Sequence, residues 1–132
     1  MSKLDTKQKV LVAIYTEYQK DTPDMTNINA QLLEIEDQVF NIAVQKLFNE
    51  GLITDVHLIK VDQSVYPVAV RMEWAKMTPY GLEYIENKLG IDPTMSGLEK
   101  VKETTKKLGE WGLDQAKDIV SRIAAEMLNG RL

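Results

Sequence analysis

A chain of 132 residues, 44% of them hydrophobic and 27% charged, is long enough to bury a core of its own and has the composition of an ordinary globular domain. With no cysteine and one histidine it excludes a disulfide framework, a thiolate zinc site and a cysteine nucleophile, and leaves little for other metal or serine–histidine chemistry. Its net charge of −4 runs against binding that depends on phosphate neutralisation alone, because nucleic-acid-binding domains carry a basic footprint.

No apolar run approaches the roughly 20 residues that span a bilayer. Residues 1–9 lack the apolar core of a signal peptide. A cytoplasmic protein without membrane association is therefore expected.

In chain order, Asp5 is placed to cap a first helix over residues 6–19, where Val10, Leu11, Ile14 and Tyr18 recur at helical spacing and Lys7 and Lys9 point outward. Tyr15 and Tyr18 fall in that stripe, where an aromatic ring is more often core than a ligand platform. Asp21-Thr22-Pro23-Asp24 ends the helix, since proline disfavours helical geometry in the residue before it. A short second helix is expected with Asn27 as its cap and Ile28, Ala30, Leu32 and Leu33 within it.

Residues 36–50 read as a third helix. Phe40, Ala43, Val44 and Leu47 share one face, and Asp37, Asn41, Gln45 and Asn49 another. Gly51 can take the left-handed conformation that ends a helix, so the chain can pass directly into a strand over 52–61. A loop over 62–67 reverses it. In the returning strand, 68–77, Val68, Val70, Met72 and Trp74 are expected on one face and Ala69, Arg71, Glu73 and Ala75 on the other. Thr78 and Pro79 suit the cap and first position of a fourth helix, with Leu82, Ile85 and Leu89 as its stripe. Gly81 permits close approach to the hairpin, and Tyr84 is expected to pack beneath it.

Gly90-Ile91-Asp92-Pro93 divides the chain into residues 1–92 and a helical arm, 93–132. Met95, Leu98, Val101 and Leu108 form one stripe, with Lys100, Lys102, Lys106 and Lys107 on the solvated side. Gly109 and Gly112 around Trp111 interrupt the helix, and a second segment over 113–128 presents Ala116, Ile119, Val120, Ile123, Ala124 and Met127 before Asn129-Gly130 closes it. So apolar an arm must pack on something. It either folds back on the first 92 residues or pairs with the same arm of another copy; the expectation is a homodimer built on Leu98, Val101, Leu108, Trp111, Ile119, Ile123 and Met127.

Helix, short helix, helix ending in Gly-Leu-Ile, hairpin and Thr-Pro-x-Gly helix together resemble the winged helix-turn-helix fold, an α+β architecture, here with a C-terminal helical arm. Within that fold, Asp37-Gln38-Val39-Phe40, Asn49-Glu50-Gly51-Leu52-Ile53 and the run from Met77-Thr78-Pro79-Tyr80-Gly81 through Leu82-Glu83-Tyr84-Ile85 resemble the YjcQ-like family of small bacterial and prophage-encoded proteins. The resemblance covers residues 5–90 and fades beyond 93. The fold likeness implies a transcriptional regulator whose third helix enters the major groove of double-stranded DNA, with Gln38, Asn41, Gln45 and Lys46 at base edges. Lys60, Arg71 and Lys76 in the wing, with Lys7 and Lys9, would then meet phosphates.

Electrostatics oppose this reading. Glu34, Glu36 and Asp37 crowd the start of the reading helix, where phosphates would repel them although they suit the helix dipole. The alternative is the same fold used as an interaction module for a host or phage protein, through the acidic third helix or the apolar arm. There is no glycine-rich phosphate loop, nucleophile elbow or metal-binding histidine pair, so neither an enzyme nor a cofactor or metal is expected. His57 reads as a residue of the sheet surface.

Overall fold

The computed structural model describes residues 4–129, and the first helix sets its architecture. α1 (Thr6–Tyr18) opens at a capping box: the Asp5 carboxylate accepts the Gln8 N–H at 2.8 Å, and the Gln8 side chain accepts the Asp5 N–H at 3.0 Å. From Val10 to Glu17 every residue is buried. A helix apolar all round has no solvated stripe and must be covered on every side. This departs from the one-faced helix expected; Tyr15 is fully buried, whereas Tyr18 at the far end is exposed.

The second helix is also redrawn. A 3-10 turn (Met25–Asn27) capped by Asp24 and a short α2 (Ala30–Leu33) capped by Asn29 replace the single helix with Asn27 as cap. α2 stops at Glu34, whose φ of 59° is left-handed, and Glu36 leads into α3 (Asp37–Asn49). α3 buries Phe40, Ala43, Val44 and Leu47 against α1, as its spacing predicts.

At the end of α3 the two punctuation signals of the sequence meet in space. Gly51, at φ 75°, turns the chain out of the helix. Thr78 caps α4 (Pro79–Leu89) by accepting the Gly81 N–H at 2.8 Å, and its hydroxyl donates to the Gly51 carbonyl at 2.6 Å. A Cβ on Gly81 would lie 2.0 Å from the Leu52 carbonyl oxygen, so only glycine lets α4 approach this closely.

Between these points runs an antiparallel hairpin. β1 (Ile53–Thr54) pairs with β4 (Lys76–Met77), and β2 (His57–Ile59) with β3 (Ala69–Arg71), in the register Ile53 to Met77 and Leu58 to Val70. The two long strands expected are thus broken into two-stranded pieces. On one side Asp55 takes a left-handed φ of 61°; on the other a turn is closed by the Ala75 N–H donating to the Met72 carbonyl at 3.0 Å. The turn changes the alternation: Met72 faces inward as Val70 does, but Trp74 is exposed and Ala75 and Met77 are buried. Tyr84 is partly buried against the apolar cluster, and its hydroxyl accepts from Gln8 Nε2 of α1 at 3.0 Å.

The arm supplies the remaining cover. α5 (Gly97–Glu110) starts at a capping box of Ser96 and Glu99, and Gly112 at φ 74° follows its end at Trp111. The single helix expected over 113–128 is divided at Ala124 into α6 (Asp114–Ile123) and α7 (Ala125–Leu128), and Gly130 lies outside the described residues. α6 packs on both α5 and α1. One apolar cluster takes residues from both sides of the 92/93 division, and a smaller one of Val101, Ala124 and Met127 joins α5 to α7.

Of the seven residues assigned to pairing between copies, Val101, Leu108, Ile119, Ile123 and Met127 are buried within the chain, Trp111 is half-buried and Leu98 alone is exposed. The arm folds back because α1 has a second apolar face to offer it. A polar tie secures the contact: Glu86 of α4 accepts the Tyr15 hydroxyl at 2.9 Å, and Lys100 of α5 stands 2.7 Å from the same carboxylate oxygen. Lys100, expected on the solvated side, is mostly buried. No helix among the described residues is long and apolar enough to cross a membrane.

Candidate interaction surface

The face outside this core is made by α3 and the hairpin. Along α3, Asp37, Gln38, Val39, Lys46 and Phe48 are exposed, and Gln45 is half-buried. Asn41, assigned to a base edge, is 8% exposed: it lines a cleft beside Asp37 and Gln38, where the loop between β2 and β3 covers it. Four-residue spacing does put Asn41 on one face with Asp37, Gln45 and Asn49, but the loop after β2 lies over the first part of that face.

Against the first turns of α3 stands the loop between β2 and β3. Ser64 to Val68 form one wall of a shallow cleft, and Asp37, Gln38 and Asn41 form the other. Pro67 is buried, and the Ser64 hydroxyl donates to the Tyr66 carbonyl, which holds the tip in shape. Beside Pro67 the tip is apolar and open: Val65 is 72% exposed, and Val61, Tyr66 and Val68 are exposed with it. They make an apolar surface on a segment expected only to reverse the chain. The signal was present in the sequence as Val65-Tyr66-Pro67-Val68, an apolar run inside a loop with no glycine.

The cations assigned to DNA contacts divide into two groups. Arg71 is bound by Glu73 through two nitrogens and lies 5.4 Å from the centre of the Trp74 ring. The hydrogen bond to Glu73 holds the guanidinium above its ordinary value and depresses the Glu73 carboxyl in return. Lys76 stands 3.4 Å from Asp55, and Lys7 contacts Glu50 at 2.8 Å, which raises the Lys7 ammonium. Lys46, Lys60 and Lys9 are exposed and have no ion-pair partner among the described residues. Glu36, Asp37 and Asp62 stand exposed with no cation paired to them among the described residues, while Glu34 is met by Arg122 of α6 at 3.2 Å.

His57 sits exposed on β2. Among the described residues, no three of histidine, cysteine, aspartate and glutamate gather where they could hold a metal ion.

No curated protein and no solved structure matches the chain. A family model described as YjcQ protein matches residues 8–111, which extends the likeness read from the sequence past residue 93 and through α5. From the first turn of α1 to the residue that caps α5, the chain belongs to the YjcQ family.

Proposed function

We propose that the chain is a winged helix-turn-helix module whose α3–hairpin face binds another protein, of host or phage origin, rather than reading duplex DNA. The order of α1, α2, α3, hairpin and α4 supports the winged-helix assignment. One observation carries the choice of partner: residues 36–77 hold six acids against four bases, a net charge of −2, and two of those bases, Arg71 and Lys76, are already engaged by the chain's own acids. Neutralised phosphates supply a large share of DNA-binding free energy, and among the described residues of this face only Lys46 and Lys60 can supply it without breaking an internal pair. The exposed Val61, Val65, Tyr66 and Val68 instead suit a partner segment that combines apolar side chains with lysine or arginine, the latter meeting Glu36, Asp37 and Asp62.

A second reading, a DNA-binding regulator, is favoured by Gln38 and Lys46 exposed on α3 and by Lys60 on the hairpin, residue types that suit base edges and phosphates. A mobility-shift titration separates the two. The protein reading expects no retardation of a mixed-sequence duplex even at about 50 mM salt, where non-specific contacts are strong. It also expects a photo-crosslinker at position 66 to give one discrete protein adduct in host cells, lost in Val65→Asp. Retardation that weakens steeply with salt and disappears in Lys46→Glu or Lys60→Glu overturns it in favour of DNA.

A further inference from the structure

A partly closed cavity of about 120 Å³ lies where α1, the turn between α2 and α3, and α6 come together. Val10 and Ala13 of α1, Leu33 of α2 and Ile119 of α6 wall it with buried apolar surface. The space exists because each of the two packed helices contributes an alanine, Ala13 and Ala116, where a larger side chain would fill it. Protein interiors normally close such gaps, since the atoms lining them lose dispersion partners. A void near this volume with aliphatic walls accepts a single six-membered ring.

The mouth has a different character. Thr6, Lys9, Glu34 and Gln115 line it, and all four are exposed. Arg122 engages the Glu34 carboxylate at 3.2 Å, whereas Lys9 has no ion-pair partner among the described residues. The rim therefore offers one uncompensated cation beside an apolar chamber.

We propose that this cavity is a binding site for a small organic carboxylate with an apolar body, a single aromatic ring or a short branched chain, seated between α1 and α6 with its carboxylate at Lys9. A larger ligand does not fit the volume, and a neutral one leaves the lysine unused. The site joins two parts that the protein-binding face needs fixed: Leu33, Glu34 and Ile35 form the turn that aims α3, and Ala116 and Ile119 belong to the arm. Occupancy ties the arm to that turn.

Benzoate and its neutral isostere benzamide, titrated into the isotopically labelled full chain and followed by amide chemical shifts, test this. Benzoate is expected to shift the amides around Ala13, Ile35 and Ala116 saturably and to bind more tightly than benzamide. Lys9→Gln should weaken benzoate about fivefold, the range of a solvent-exposed ion pair, and leave benzamide unchanged. Ala116→Leu fills the chamber and should abolish both. Because Lys9 is exposed, its variant reads the site even if Ala116→Leu fails to fold. No saturable shift with benzoate, equal affinity for benzamide, or benzoate binding indifferent to Lys9→Gln each overturns the proposal.

Discussion

Two glycines at the junction of α3, β1 and α4 do different physical work, and substitution separates them. Gly51 needs a left-handed φ of 75° but has open space around its missing Cβ. Gly81 has ordinary helical geometry, and a Cβ there would meet the Leu52 backbone oxygen at 2.0 Å. Gly51→Ala should therefore cost about 1–2 kcal/mol, the penalty of a side chain in that conformation, and Gly51→Asn appreciably less because asparagine tolerates it. Gly81→Ala requires α4 to move off β1, and overpacking of this kind costs about 3 kcal/mol; Gly81→Asn should be no better. Urea midpoints of the four variants check the ranking. An asparagine that rescues position 81 but not 51 would reverse the assignments.

At the scale of elements, the parts legible in the sequence were those decided by near neighbours. Asp5 and Thr78 cap α1 and α4 as their types predict, and α3 lies within a residue of its expected ends, because capping and 3.6-residue periodicity are local. The hairpin's interruption was not legible: aspartate tolerates the left-handed region better than most side chains, but residue type alone does not say that Asp55 adopts it here. Nor was the partner of the arm, since an apolar stripe does not say what it packs on. The unbroken run from Val10 to Tyr15 held that answer, because a helix with no polar side needs a second layer. For the surface, exposure of Lys46 and Lys60 followed from type, but the pairing of Arg71 with Glu73 and the covering of Asn41 by the loop after β2 depend on tertiary geometry.

The tie among α1, α4 and α5 belongs to this scale. Glu86 is nearly enclosed, with Tyr15 and Lys100 as its polar partners in side-chain contact. Lys100→Met leaves a buried carboxylate without its cation and should cost about 3–5 kcal/mol, whereas Lys100→Met with Glu86→Gln should recover most of it. A double-mutant cycle from denaturant melts reads the coupling, and additive losses would show that the pair contributes nothing. Burial, and then the hydrogen bond to Glu86, push the Tyr15 phenol far above its ordinary value of 10.0. The unfolded chain thus releases this proton near pH 10 while the folded chain keeps it. The contribution is whole below pH 10 and declines above it, by up to about 1.4 kcal/mol per pH unit. Tyr15→Phe should be flatter than the parent chain between about pH 9 and 11; parallel curves would remove Tyr15 from the account.

For the molecule as a whole, the question is whether the arm is an attachment or part of one folding unit. α6 lies on α1, Leu108 belongs to the same apolar cluster as Val44 and Ile85, and the Glu86–Lys100 pair crosses the same boundary. A chain without the arm would expose the side of α1 that carries Val10 and Ala13. The two parts should therefore unfold together, as small single domains do. Trp111 reports on the arm, and far-UV ellipticity reports on all the helices. Their midpoints in urea should coincide once Trp74 is replaced by phenylalanine to leave one emitter. Leu108→Ala, at a position with no solvent exposure, should lower both midpoints alike, by an amount corresponding to about 2–5 kcal/mol. An arm that merely leans on the domain would give a different result: the Trp111 midpoint would fall in Leu108→Ala while much of the ellipticity held to the parent midpoint, and the two probes would separate.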